Sequence, residues 1–318
     1  MNRRRAVTIL LNAAALAGLI WTVHDLPLSS LMERTRGMNW GWVAAAVLFD
    51  AATYVFQAVR WRALLAPEGS LQPWRAGQAI YAGLFLNEVT PLRLGEVVRA
   101  YLVSRWMGLR VAVVVPSMLV ERLIDGIWLA VGVAIVALVM PLPPMLERGG
   151  EVLGIGMAAG LFLFVWLVLR PVPRRAGEPA SRWQTLRTRL HDGIVRIGFS
   201  RAMTTGLVVS VLLPVSQGIA FWLVMRAYGI SLPLAAGMAV MLIVRLGTLV
   251  PAAPANVGTF HFFCTLALTL FGIDKGTAAG FSVVLFFVLT IPLWAIGLAA
   301  IAATGETTRS LMSEAASL

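Results

Sequence analysis

Residues Gly276–Gly305 read GTAAGFSVVLFFVLTIPLWAIGLAAIAATG, an unbroken run without Asp, Glu, Lys or Arg. A helix of about 20 apolar residues crosses the hydrocarbon core of a bilayer, so this run predicts a membrane span. It has company. Charge-free runs also occupy Ala6–Val23, Gly126–Leu146, Val152–Leu169, Ala202–Met225 and Leu246–Ile273, and Gly41–Val59 is interrupted only by Asp50.

The composition agrees: 59% of the 318 residues are hydrophobic and 13% charged, well away from the balance of soluble globular chains. The chain is therefore expected to be an all-α polytopic membrane protein with no separate soluble catalytic domain. The formal charge of +11 does not point to nucleic acid, because the basic residues are almost all arginines scattered along the chain, many at the ends of apolar runs. That is the distribution of topology determinants. The single Cys264 excludes an intrachain disulfide. His24 and His191 fall in expected loops and His261 in an apolar helix, so no metal-binding histidine set forms, and neither metal nor cofactor is expected. No nucleotide-binding loop occurs.

Arginine counts orient the spans. One side collects Arg3–Arg5, Arg60, Arg62, Arg75, Arg99, Arg105 and Arg110, then eight arginines from Arg170 to Arg201; the other holds Arg34, Arg36, Arg148, Arg226 and Lys275. The rich side is expected to be cytoplasmic, with both termini there. Asn2-Arg3-Arg4-Arg5 resembles the start of a secretory signal, but the apolar run continues to Val23, so a retained first helix is expected. Residues 171–201 form the long polar loop, expected either to be solvated or to lay a short amphipathic helix, Trp183–Ile197, on anionic headgroups.

Two segments do not read as simple spans. Gly77–Val89 is too short to cross and meets Pro91, after which an amphipathic stretch runs from Gly95 to Trp106; Met238–Val250 meets Pro251 and Pro254 and resumes at Gly258. The breaks match as P-x-[R/N]-[L/V]-G-x, in Pro91-Leu92-Arg93-Leu94-Gly95-Glu96 and Pro254-Ala255-Asn256-Val257-Gly258-Thr259. The element order repeats as well: helices 6–23 and 41–59, a broken segment 77–106 and helix 113–140 are followed by helices 152–169 and 202–225, a broken segment 234–272 and helix 276–303. This predicts six transmembrane helices and two re-entrant segments, in a first repeat 1–140 and a second 141–318. Three crossings between the re-entrant segments invert one repeat relative to the other, the arrangement that marks transporter-like sites at the midplane.

Ionisable groups at membrane depth are functional candidates. They gather near the breaks: Glu88, Arg93, Glu96 and Arg99, then Glu121, Arg122 and Asp125, then Arg245 and Asn256. Glu121 and Asp125, four apart, share a helix face that Arg122 leaves. Half-helices starting near Gly95 and Gly258 would aim free N–H groups and positive dipole ends at the breaks, where anions bind readily. Gly95, Gly258 and Thr259 would line the approach, Arg93 and Arg245 would add charge-assisted bonds to a phosphate, and the carboxylates would hold those arginines or carry protons. The competing account is a salt-bridge network, such as Arg93 with Glu96 or Glu121, that serves only to neutralise buried arginines. Arg60-Trp61-Arg62 reads as an interfacial anchor, and Asp50 carries no assigned role.

The runs Arg60-Trp61-Arg62, Leu86-Asn87-Glu88-Val89-Thr90-Pro91-Leu92-Arg93-Leu94-Gly95-Glu96-Val97-Val98-Arg99-Ala100, Val120-Glu121-Arg122-Leu123-Ile124-Asp125 and Pro254-Ala255-Asn256-Val257-Gly258-Thr259 resemble signatures of the lysylphosphatidylglycerol synthase transmembrane, or flippase-like, family. The resemblance spans nearly the whole chain and implies a membrane domain that moves lipids between leaflets. In multiple peptide resistance factors such a domain precedes a soluble aminoacyltransferase. This chain reaches Leu318 soon after its last apolar run, so synthesis of the lysyl lipid is not expected of it. The resemblance implies a carboxylate shortly after Gly258-Thr259, where this chain has His261.

These readings predict a flippase of the bacterial inner membrane, with an anionic phospholipid or related amphiphile as cargo; a polyprenyl-phosphate-linked sugar would suit the same phosphate-binding logic. An integral membrane lipid-headgroup transferase, with Glu88, Glu96, Glu121 or Asp125 as base or metal ligand, is the competing class, and the absence of a dense Asp-rich motif speaks against it. No catalytic residue is assigned. A cytoplasmic lipid-synthesising partner could dock on the 171–201 loop; oligomeric state is not legible.

Overall fold

The structure, a computed structural model, describes residues 28–90, 94–139, 182–198, 200–249 and 254–316, much of 13–24 and isolated positions within 155–170. All regular elements among these residues are helical. In chain order they are α1 Leu28–Arg36, α2 Trp40–Leu65, α3 Pro73–Val89, α4 Gly95–Met107, α5 Val111–Val139, α6 Arg182–Gly198, α7 Arg201–Ser210, α8 Leu212–Ala227, α9 Leu234–Gly247, α10 Thr259–Leu270, α11 Lys275–Ala302 and α12 Thr308–Ala316. Residues 15–22 are helical too, whereas the rest of the expected span 6–23 and most of 152–169 lie outside the described residues.

Among the described residues, four stretches are long and apolar enough to cross a membrane: Trp40–Glu68, Val111–Val139, Arg201–Ala227 and Lys275–Ala302. At about 1.5 Å per residue each reaches about 40 Å, beyond the hydrocarbon thickness of about 30 Å. Their outward faces are apolar. Leu48 on α2, Leu138 on α5, Val208 on α7 and Leu298 on α11 are all exposed, the inverse of a soluble helix and the expected dress of a lipid-facing one. The expected helix 202–225 is divided at Val211 into α7 and α8. Pro214 has no N–H to offer the Ser210 carbonyl, which breaks the ladder there.

Both expected interruptions are present, between α3 and α4 and between α9 and α10. These helices have 17, 13, 14 and 12 residues, about 18–26 Å each and too short to cross singly. At the first break the chain folds back: a Cβ on Gly95 would lie 1.8 Å from the Gly83 carbonyl oxygen, so only glycine lets α4 begin against the flank of α3. At the second, a Cβ on Gly247 would fall within the Phe263 ring, which sets the end of α9 beside the start of α10. Thr90 and Thr248 close α3 and α9 in the same manner, each donating its hydroxyl to the carbonyl four residues earlier, Leu86 and Val244.

The chain forms two compact units. One comprises Met1–Thr53, Tyr81–Glu96 and Pro214–Leu318; the other comprises Tyr54–Ile80 and Val97–Leu213. In the first, α9 packs on α10, α10 on α11, and α11 on α1. Residues 15–22 reach the second break, where Trp21 meets Phe262 edge to face at 5.2 Å. In the second, α5, α6 and α7 pack together around Leu64, Val120, Ile124 and Ile197.

The amphipathic helix expected at Trp183–Ile197 is α6. Its apolar face near the C-terminus does not rest on headgroups: Ile197 is buried with Leu64, Val120 and Ile124, Ile194 packs beside them, and Gly193 sits so close to Pro116 that a Cβ would approach to 2.7 Å. The stripe that suggested a lipid surface finds an apolar partner in the protein itself, because α5 and α7 present one.

Candidate functional site

The second unit holds a buried ion network. Arg60, near the end of α2, donates from Nη2 to Glu121 Oε1 at 2.7 Å and from Nη1 to Asp125 and to Ser210 Oγ at 3.2 Å. Arg99 of α4 donates from Nη2 to Glu121 Oε2 at 2.9 Å and from Nη1 to Oε1 at 3.3 Å. Gln57 Nε2 adds a third donor to Oε1 at 3.0 Å. The Arg99 guanidinium lies over the Trp61 ring, 4.3 Å from its centroid, and Trp61 Nε1 donates to Ser117 Oγ at 3.0 Å. Two arginines thus face two carboxylates, which lets these charges survive burial.

This overturns the reading of Arg60-Trp61-Arg62 as an interfacial anchor. Arg60 is 1% and Trp61 0% exposed; only Arg62 behaves locally, donating from Nε to the Leu71 carbonyl at 2.9 Å. The sequence offered one usable signal, the four-residue spacing of Glu121 and Asp125, which places two acids on one helix face. Arg122 points elsewhere as expected: its side chain is half exposed and reaches Asp125 Oδ2 only at 3.4 Å. With both oxygens engaged, Glu121 has little capacity left for a ligand.

The first unit contains both breaks. Arg93, with Pro91 and Leu92, lies outside the described residues. Gly95 opens α4 and Glu96 falls in its first turn, where a carboxylate favours the positive helix end; Glu88 ends the preceding helix, one residue from its terminus. At the second break the backbone is strained: Ala255 and Asn256 have φ of 54° and 51°, a region sparsely populated by residues with a Cβ. Gly258 follows at φ 94° and abuts the Ala15 carbonyl, 2.1 Å from where a Cβ would stand, so glycine is required there twice over. No side chain caps α10, leaving its first N–H groups to other partners. Thr259 donates its hydroxyl to the Asn256 carbonyl at 3.0 Å, and Asn256 Oδ1 is buried without a hydrogen-bond donor among the described residues.

Arg245, in the last turn of α9, leads into this break and donates from Nε to Gln217 Oε1 of α8. His261 of α10 is buried, with Nδ1 3.3 Å from Ser282 Oγ. Ser282 in turn donates its hydroxyl to the Ala279 carbonyl. The sequence-derived site is therefore divided: Glu88, Gly95, Glu96, Arg245, Asn256, Gly258 and Thr259 belong to the first unit, and Arg99, Glu121, Arg122 and Asp125 to the second. No group of three or more His, Cys, Asp or Glu able to hold a metal occurs among the described residues.

Long lipid-facing helices together with two interrupted ones define a polytopic helical membrane protein. The chain belongs to the family of the lysylphosphatidylglycerol synthase TM region, whose family model matches residues 7–297. No match is found among curated proteins.

Proposed function

We propose that the protein carries an anionic lipid, a phospholipid or related amphiphile, between the leaflets of the bacterial inner membrane, with the cytoplasmic side set by the arginine-rich loops. The family name ties the fold to a lipid-modifying system. The observation that carries the reading is that both helix breaks fall in one compact unit together with Arg245. Interrupted helices at matching positions of two inverted halves mark transporter sites, with half-helix N-termini directed at the anionic group. In this reading α3–α4 and α9–α10 are re-entrant, and Arg93, Arg245, Asn256 and the N–H groups following Gly95 and Gly258 receive the headgroup. Glu88, Glu96 and Thr259 shape that surface, and the Arg60–Arg99–Glu121–Asp125 network is scaffold. The role is transport without chemistry on the lipid.

Reconstitution tests this. In proteoliposomes carrying an asymmetrically placed fluorescent phosphatidylglycerol, the protein is expected to accelerate leaflet exchange, and R93A and R245A to slow it severalfold in a protein that still elutes as a folded species. No acceleration for any anionic phospholipid or polyprenyl-phosphate-linked sugar would overturn the reading. Covalent turnover of a headgroup would replace it with the transferase.

A further inference from the structure

Asp50 sits in the middle of α2, 4% exposed, and its Oδ1 is buried with no hydrogen-bond donor among the described residues. A carboxylate oxygen buried at membrane depth with no donor among the described residues is costly and marks function more often than structure. Of the charged and titratable groups, Arg245 from α9 and Tyr81 from α3 act on it; Gln217 from α8 holds the Nε of that same arginine. All four residues belong to the first unit. Arg245, in the last turn before the break, therefore acts on the Asp50 carboxylate and, in the transport reading, on the anionic group that enters the break.

We infer that Asp50 is a proton-binding site coupled through Arg245 to the anionic cargo, so that each lipid headgroup bound is accompanied by one proton taken from water onto the Asp50 carboxylate. This rests on the transport reading above and supplies its energy source. A headgroup that draws the Arg245 charge toward itself takes that cation away from Asp50, and the carboxylate is then neutralised by protonation, forming an O–H bond with the proton drawn from water. One negative charge and one proton enter together, so the loaded site gains no net charge, a requirement that low-dielectric surroundings impose strongly. Linkage makes the effect reciprocal: the proton promotes lipid binding by the same factor by which the lipid promotes protonation. A proton gradient would then drive the lipid in one direction.

The test is proton uptake by the purified full-length chain in weakly buffered detergent, followed with a pH-indicator dye during titration with short-chain phosphatidylglycerol, alongside calorimetric affinity at several pH values. The expected result is about one proton per bound lipid, with affinity falling about tenfold per pH unit where the free site is ionised. D50N is expected to remove both uptake and pH slope, and D50E to restore the slope with a displaced midpoint. Binding and leaflet exchange by the native protein without proton uptake overturn the coupling and leave transport standing. A slope that persists in D50N overturns the assignment to Asp50. Neither binding nor exchange of any anionic lipid overturns both readings.

Discussion

Arg60 and Glu121 are bound to one another at 2.7 Å with side chains 1% and 0% exposed, an ion pair formed between two long helices of a membrane protein. Because Glu121 also accepts from Arg99 and Gln57, removing it strands more than one buried donor. E121A is expected to cost about 3–5 kcal/mol, the range for breaking a buried pair from one side. R60M/E121L is expected to be less destabilised than E121L alone, since the double replacement removes both charges together. Thermal unfolding in detergent, arranged as a double-mutant cycle, reads both.

Trp61 serves the same network through its ring, beneath Arg99, and its N–H, to Ser117. W61F keeps most of the apolar volume but loses the hydrogen bond and part of the cation–π attraction, an expected loss of about 1–2 kcal/mol. W61A adds a cavity and should lose about 3–5 kcal/mol. Melting temperatures of the two variants should therefore rank in that order, with W61A lowest.

The fold-back at the first break depends on Gly95, where a Cβ would meet the Gly83 carbonyl oxygen at 1.8 Å, whereas a Cβ on Gly77 in the same α3–α4 region meets nothing within 4 Å. G95A is expected to be destabilising and to abolish lipid exchange, while G77A, which improves helix propensity, should be neutral or slightly stabilising. Comparison of folded yield by size-exclusion chromatography distinguishes a requirement for this one contact from general sensitivity of the segment.

Asp274 caps α11 outside the span. Hydrogen bonds from Thr277, including its N–H at 2.8 Å, hold the carboxyl below the usual aspartate range. A folded-state value lower than the unfolded one contributes stability that is complete above the unfolded pKa and fades as pH falls through the folded value. The cap should therefore be fully effective at neutral pH and weaken below about pH 4. D274A is expected to cost about 1 kcal/mol at pH 7, with the difference from the native chain shrinking in acid; a pH series of unfolding midpoints measures it.

The four long spans among the described residues were legible because a charge-free or nearly charge-free run leaves few alternatives, and the breaks because Pro91, Pro251 and Pro254 interrupt runs too short to cross. Arg60 was not. At the edge of an apolar run beside a tryptophan it has the local pattern of a snorkelling residue, and only tertiary packing brings α5 to it. The acids at Glu121 and Asp125 were recognised as sharing one helix face, and Arg93 was named as a possible partner of Glu121, but the ion pairs from Arg60 and Arg99 were not foreseen. The amphipathic face of α6 was legible as a face; a single sequence does not say whether lipid or protein covers it. Asp50 passed as an isolated interruption because its significance lies in which donors fail to reach it, a property of space and not of spacing.

The division of the chain into units has a consequence for biogenesis. The unit that holds both breaks is assembled from Met1–Thr53, Tyr81–Glu96 and Pro214–Leu318, so its first two pieces leave the ribosome long before the third. At about 5–20 residues per second, the wait is on the order of tens of seconds. During that interval Asp50 lacks Arg245, and the C-terminal part of α3 lacks the α9 and α10 helices of its own unit. The first unit is therefore complete only once its third piece, Pro214–Leu318 with the span Lys275–Ala302, has been synthesised.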